Sequence, residues 1–173
     1  MTCWGRQTEI DGIRSVFRFD GTVRLAIHEL KYRSIKTMAV YLAAFMADYM
    51  RENNVPGETL IPVPLHSKRL RQRGYNQSVL LARKLGELVS MPVVEGSLRR
   101  VKDSLPQART TTVEERRQNV EKAFACQKED LKGKSLILID DVCTSGATLE
   151  SCAAVLKAAG AVSVWGFTAA REI

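Results

Sequence analysis

Four consecutive aliphatic residues, Leu136, Ile137, Leu138 and Ile139, run straight into Asp140 and Asp141 and then into a series of small and hydroxylated residues ending at Thr148. A short unbroken apolar run of this kind suits a parallel strand buried on both faces. Residues 147–159 then read as a helix with Leu149, Cys152, Ala153 and Leu156 inward, and 162–167 as a second strand beyond a Gly160 cap. Strand, helix and strand in this order imply a parallel sheet with a right-handed crossover. Ligands of such sheets bind beyond the carboxyl ends of the strands, where the two acids are expected to stand.

The residues between strand and helix define the ligand chemistry. Backbone N–H groups at a helix start lack intrahelical acceptors and carry partial positive charge, so they hold a phosphate without help from Lys or Arg. Thr144, Ser145 and Thr148 add hydroxyl donors, and Gly146 lets the backbone come close. Asp140 and Asp141 would repel the phosphate, so their natural partners are hydroxyls or a hydrated cation. A sugar diol beside a phosphate satisfies both halves. The glycine patterns of P-loops and of dinucleotide-binding loops are both missing. A phospho-acceptor receiver also places acids after a strand, but it needs most of its fold downstream, and only 32 residues follow Asp141. An acid pair that merely caps a helix is the plain alternative.

Earlier parts of the chain fit the same α/β plan. Residues 13–19 alternate as a half-exposed strand, and Asp20-Gly21 turns the chain into a helix capped by Thr22, with Val23, Ala26, Ile27 and Leu30 inward. A longer helix follows, striped by Met38, Leu42, Phe45, Met46 and Tyr49, and stopped near Pro56 and Gly57. Residues 1–55 therefore read as an N-terminal helical segment, and 56–173 as the core of a single domain. Within that core, 59–63 is a short strand and 76–89 a helix with Ser78, Leu81, Ala82, Leu85 and Leu88 at helical spacing. Their connection, 64–75, reads as a loop, and 99–119 as a longer mobile one.

The net charge of +7 is concentrated. Residues 66–117 hold 12 of the 26 Lys and Arg and 5 of the 19 Asp and Glu, leaving 14 against 14 elsewhere. Such a segment suits pyrophosphate or nucleic acid, though a solvated basic face is the plain reading. No apolar run is long enough to span a bilayer, so a cytoplasmic location without membrane insertion is expected. The four cysteines form no Cys-x-x-Cys pair, and with only His28 and His66 beside them no zinc-ligand spacing arises. Neither disulfides nor a structural metal are expected.

Residues 136–148 resemble the phosphoribosyl-diphosphate (PRPP) motif of type I phosphoribosyltransferases. Further matches narrow the resemblance to the ComF family of competence-related proteins. They are IHELKY at 27–32, PVPL at 62–65, RGYNQ at 73–77, Gln107, RRQNV at 116–120 and Ala123-Phe124. It extends over roughly residues 13–170. Members of that family commonly open with a Cys-x-x-Cys zinc ribbon, of which only Cys3 has a counterpart here, so the ribbon is expected to be absent or truncated.

The resemblance implies a type I phosphoribosyltransferase-like α/β fold, with a mainly parallel central sheet flanked by helices and the N-terminal helices serving as a hood. It implies that Asp140 and Asp141 hold the ribose 2′ and 3′ hydroxyls and act in catalysis, with Mg2+ held mainly by the ligand near them. The segment Val142, Cys143, Thr144, Ser145, Gly146, Ala147 and Thr148 would bind PRPP, its 5′-phosphate lying on 144–148. Leu65, His66, Ser67, Lys68 and Arg69 would form the pyrophosphate loop, where such enzymes often carry a strained cis peptide, with Lys68 and Arg69 touching the leaving group. Residues 102–117 would be the lid. Cys143, flanked by carboxylates, suits a variable loop position better than a nucleophile. His28, Trp4 and Trp165 suit packing, and His66 either packing or the ligand. The implied activity is transfer of phosphoribose to an unidentified acceptor, in a setting of competence and DNA uptake. A PRPP sensor without chemistry, and a single-stranded DNA binder using residues 66–117, are the competing functions.

Overall fold

The structure is a computed structural model, and it describes residues 8–101, 123–126 and 131–172. In chain order the elements are β1 (Gly12–Arg18), α1 (Gly21–Tyr32), α2 (Met38–Glu52), β2 (Thr59–Pro62), α3 (Ser67–Arg73), α4 (Gln77–Val89), β3 (Leu98–Arg100), β4 (Phe124–Cys126), β5 (Ser135–Cys143), α5 (Ala147–Ala158) and β6 (Ser163–Arg171). Four strands form one sheet in the order β1-β6-β5-β2, with every neighbouring pair parallel. β3 and β4 form a separate antiparallel pair.

The sheet is the middle of three layers, because its central strands are apolar on both sides. Ile137 and Ile139 of β5 and Phe167 of β6 pack with Ile27, Leu30, Leu42, Met46, Leu81 and Leu85, which come from α1, α2 and α4. Leu136, Leu138 and Val164 face the other way, against Leu149, Cys152 and Leu156 of α5 and against Leu98 and Phe124 of the β3-β4 pair. The unbroken aliphatic run at 136–139 is thus explained by burial from two directions.

Residues read from the sequence as an N-terminal helical segment contribute a strand as well as two helices to this arrangement. β1 pairs with β6 in register from Gly12 opposite Trp165 to Arg18 opposite Arg171. α1 starts at Gly21 with Asp20 as its N-cap, two residues earlier than a Thr22 cap would give. The buried stripe of α2 is Ala39, Leu42, Ala43, Met46 and Ala47. Phe45, expected on that stripe, is exposed and meets the Phe17 ring edge-on at 5.3 Å. Leu88 of α4 is likewise exposed rather than inward.

Two further expectations are corrected. The connection 64–75 contains the helix α3, whose N-cap His66 accepts a hydrogen bond from the Lys68 N–H and whose C-cap is Gly74 in the left-handed region at φ +80°. β5 does not stop at Ile139 but continues through both acids to Cys143, so Val142 and Cys143 belong to the strand rather than to the loop. The 102–117 lid, Gln107, residues 116–120, Cys3 and Trp4 lie outside the described residues.

Candidate functional site

The carboxyl end of β5 meets the start of α4 and the end of α1. Asn76, the N-cap of α4, accepts from the Ser78 N–H at 2.9 Å and donates through Nδ2 to the Val63 carbonyl at 2.9 Å. That bond ties the helix start to the residue after β2. Ser78, thereby fixed in the first turn, donates its hydroxyl to Asp140 Oδ1 at 2.8 Å, and the Asp141 N–H donates to the same oxygen at 2.9 Å. Tyr75 donates its hydroxyl to the Leu30 carbonyl, which anchors the end of α1 over the acids. The RGYNQ stretch is therefore a fastening: Asn76 sets Ser78 against Asp140, and Tyr75 holds the end of α1.

Asp141 is almost completely buried, at 3% exposed. One of its oxygens, Oδ1, pairs with Lys31 Nζ at 2.7 Å. The other, Oδ2, is buried with no hydrogen-bond partner among the described residues. A buried carboxylate oxygen without a donor is costly, and it is an acceptor held ready for a hydroxyl or a cation. Burial first, and the neighbouring Asp141 charge second, push the Asp140 carboxyl up to about 7, against the opposing effects of Ser78, the Asp141 N–H and Lys31. Two carboxylates this close cannot both be ionised cheaply unless a ligand or cation joins them.

Beyond β5 the chain turns through Thr144 and Ser145, both exposed, to Gly146. Gly146 is the N-cap of α5 and adopts φ +80°, a left-handed conformation that an L side chain rarely takes. The position is also tight, since a Cβ added there would come 3.2 Å from Ile13 Cδ1. The Ser145 hydroxyl accepts from the Ala147 N–H at 3.4 Å, while Ala147 and Thr148 open the helix. The loop therefore presents backbone N–H groups at the start of a twelve-residue helix on the β1 side of the acids.

The second segment, Leu65, His66, Ser67, Lys68 and Arg69, follows β2 at the same end of the sheet, and Ser67, Lys68 and Arg69 are exposed. The described residues contain no cis peptide bond, so the strained peptide implied for this segment is not found. His66 caps α3. His28 is exposed, with its ring 4.8 Å from that of Tyr32. Trp165 fills the space beside Gly12 and carries Arg14 over its ring at 5.1 Å, a packing role. Cys143 and Cys152 are buried, and burial raises both thiols above their ordinary pKa, which disfavours a thiolate nucleophile.

Sequence reasoning missed Lys31 and Ser78 as partners of the acids. Lys31 stands in the IHELKY stretch and Ser78 directly behind RGYNQ, so both motifs pointed to them without revealing the contact. Among the described residues no group of three or more His, Cys, Asp or Glu could cage a metal ion. The donors present are two carboxylates, one with an unpartnered buried oxygen. They fit a hydrated Mg2+ whose remaining ligands come from a bound diol and pyrophosphate. No helix among the described residues is long and apolar enough to cross a membrane.

Comparisons with known proteins agree with the fold. Residues 70–168 match the family described as "Phosphoribosyl transferase domain". "Competence protein F" of Haemophilus influenzae is 36% identical over 135 residues, covering 76% of this chain and 58% of that protein. "Competence protein ComFC" of Bacillus subtilis is 29% identical over 161 residues, covering 92% of this chain and 64% of its own length. "DNA utilization protein YhgH" of Salmonella typhi is 28% identical over 158 residues, covering 87% of this chain and 69% of that protein. The chain thus spans somewhat under two thirds of the two competence proteins. Among solved structures, the glutamine PRPP amidotransferase of B. subtilis, complexed with ADP and GMP, superimposes with a TM-score of 0.54. Its identity is 18%, over 80% of this chain and 30% of that one, a likeness of fold. The chain belongs to the phosphoribosyl transferase domain family and, within it, is a ComF-family protein with a type I phosphoribosyltransferase fold.

Proposed function

We propose that this protein binds PRPP with Mg2+ and transfers its phosphoribosyl group to an acceptor, in a role connected with competence and DNA use. The observation that carries the reading is the acid pair, with Asp141 Oδ2 buried and unpartnered among the described residues, standing beside a glycine-turned helix start. Asp140 and Asp141 receive the ribose 2′ and 3′ hydroxyls, and residues 144–148 hold the 5′-phosphate. Lys68 and Arg69 stabilise the pyrophosphate as it departs. In the transfer a bond forms from the acceptor nucleophile to ribose C1, the C1–O bond to pyrophosphate breaks, and the electron pair leaves with pyrophosphate. The acceptor's proton passes to solvent or to a nearby base. Mg2+, when bound, neutralises the pyrophosphate charge. The N-terminal helices α1 and α2 serve as the hood over the acceptor. The names of the relatives support the connection with DNA.

The raised Asp140 carboxyl gives the reading a pH signature. A carboxylate accepts charge-assisted bonds from hydroxyls that its protonated form lacks. PRPP affinity in the presence of Mg2+ is therefore expected to rise by about tenfold between pH 6 and pH 8. Ser78→Ala removes a hydrogen bond that favours the ionised form, so it should move the midpoint to higher pH. A calorimetric titration series across this range checks both, and a flat profile in parent and variant contradicts the role given to Asp140. The same carboxyl affects folding with a defined sign. Its folded value lies above its unfolded one, so its favourable contribution is complete below the unfolded value and is lost as pH rises toward about 7.

Pyrophosphate release separates transfer from sensing. PRPP binding followed by release with some member of an acceptor panel supports the transferase. PRPP binding with no release across the panel, measured against free-PRPP hydrolysis, makes the protein a sensor.

A further inference from the structure

The end of α1 and the flank of α3 face each other across a cleft of about 440 Å3, lined by Lys31, Tyr32, Ser34, Arg69, Gln72 and Arg73. Among the described residues its lining holds three cations and no carboxylate. Lys31 is paired with Asp141. Arg73 donates to the neutral Gln77 Oε1 and lies 5.5 Å over the Tyr32 ring, with no ion-pair partner among the described residues. Arg69 has no ion-pair partner among the described residues. Guanidinium groups gathered in this way favour an oxyanion.

Three placements separate the cleft from the sites already assigned. The 144–148 loop lies toward β1, where Gly146 approaches Ile13, whereas the cleft lies between α1 and α3. Leu65, His66, Ser67 and Lys68 do not line it, and only Arg69 is shared with the pyrophosphate segment. Lys31 joins the cleft directly to the acid pair, with Nζ 2.7 Å from Asp141 Oδ1 and the unpartnered Oδ2 beyond it. The cleft is therefore next to the ribose, on the far side from its 5′-phosphate.

We propose that this cleft is the acceptor subsite and that it selects an acceptor bearing a carboxylate or phosphate group. The proposal rests on the phosphoribose reading of the acid pair. It assigns Arg73 and Lys31 to the acceptor's anion, and it makes the end of α1 the specificity element of the reaction. Lys31 then answers two anions, Asp141 when the cleft is empty and both when it is filled.

The test uses benzoate and benzamide, a ring-matched anion and neutral, titrated into the full chain saturated with PRPP and Mg2+. Gln72→Glu and Ser34→Asp each place a carboxylate in the cleft at an exposed position with no role in the chemistry above. Benzoate is expected to bind about tenfold or more tightly than benzamide, and each variant to weaken benzoate by about tenfold while PRPP affinity stays within about threefold. Equal binding of the two probes, or benzoate binding untouched by both variants, overturns the proposal. Pyrophosphate supplies the other source of the same chemistry. If saturating pyrophosphate displaces benzoate and Gln72→Glu weakens pyrophosphate by the same factor, the cleft is the leaving-group site and the proposal falls. A parent that fails to bind PRPP overturns the phosphoribose reading itself. That result is distinct from a failure of the cleft, in which PRPP binds and benzoate does not.

Discussion

Gly146→Val is expected to reduce PRPP affinity by about a hundredfold or more. Phosphate recognition at this loop depends on backbone N–H groups, each charge-assisted bond contributing about 1.5–3 kcal/mol, so displacing two of them reaches that factor. Valine cannot hold φ +80° without strain, and its Cβ would meet Ile13 Cδ1 at 3.2 Å, so the loop has to move. The cost to the fold is smaller, about 1–2 kcal/mol, because the loop is exposed and the β5-β6 pairing behind it is unaffected. Calorimetric titration combined with urea denaturation separates the two effects. A variant that retains its fold and binds PRPP like the parent would remove 144–148 from the site.

Lys31→Met has the other large effect, and it is on stability. Removing one partner of a buried ion pair leaves the remaining charge desolvated, typically at a cost of about 3–5 kcal/mol. The Lys31 side chain is 21% exposed and that of Asp141 only 4%, which lowers the expectation to about 2–3 kcal/mol at pH 8. The loss should shrink toward pH 5, because Lys31 opposes protonation of Asp140 and its removal lets the acid pair take up a proton more readily. Adding Asp141→Asn should recover at least about half of the loss, since the two residues are in direct contact and their effects are not additive. Urea denaturation of the four members of this cycle at both pH values reads it. Additive losses that do not vary with pH would show that the pair is of no energetic consequence.

These two residues also show what the sequence could and could not reveal. The β5 run, the helix α5 and the parallel arrangement were legible because hydrophobic period and glycine placement are local signals. The extension of β5 through Asp140 and Asp141 was not. Two acids inside a buried strand are tolerated only because Ser78 and Lys31 reach them from 62 and 110 positions away, and a local reading contains neither partner. α3 was read as loop because its seven residues, SKRLRQR, have no apolar face and none of them is buried. Its limits come from the His66 cap and the left-handed Gly74 instead. The stripe of α2 shifted for a third reason. Ala39, Ala43 and Ala47 let that helix approach its neighbours closely, which turned the larger Phe45 outward against Phe17.

The resemblance in the motifs led further than periodicity. IHELKY and RGYNQ carry no recognisable chemistry when read alone, yet in the fold they place Lys31 on Asp141 and, through Asn76, set Ser78 against Asp140. The cis peptide that the resemblance implied is not found among the described residues. The end of α1 is fastened by Tyr75 and supplies Lys31, the cation that faces both the acid pair and the cleft.

The central claim is that the acid pair of β5 holds the ribose of PRPP. Its most direct test is a calorimetric titration of PRPP with Mg2+ at pH 8 into the parent and into Asp141→Asn side by side. The account predicts saturable binding by the parent and about tenfold or more weaker binding by the variant, from the loss of one charge-assisted carboxylate. No heat of binding in the parent, or equal affinities in the two proteins, would contradict it.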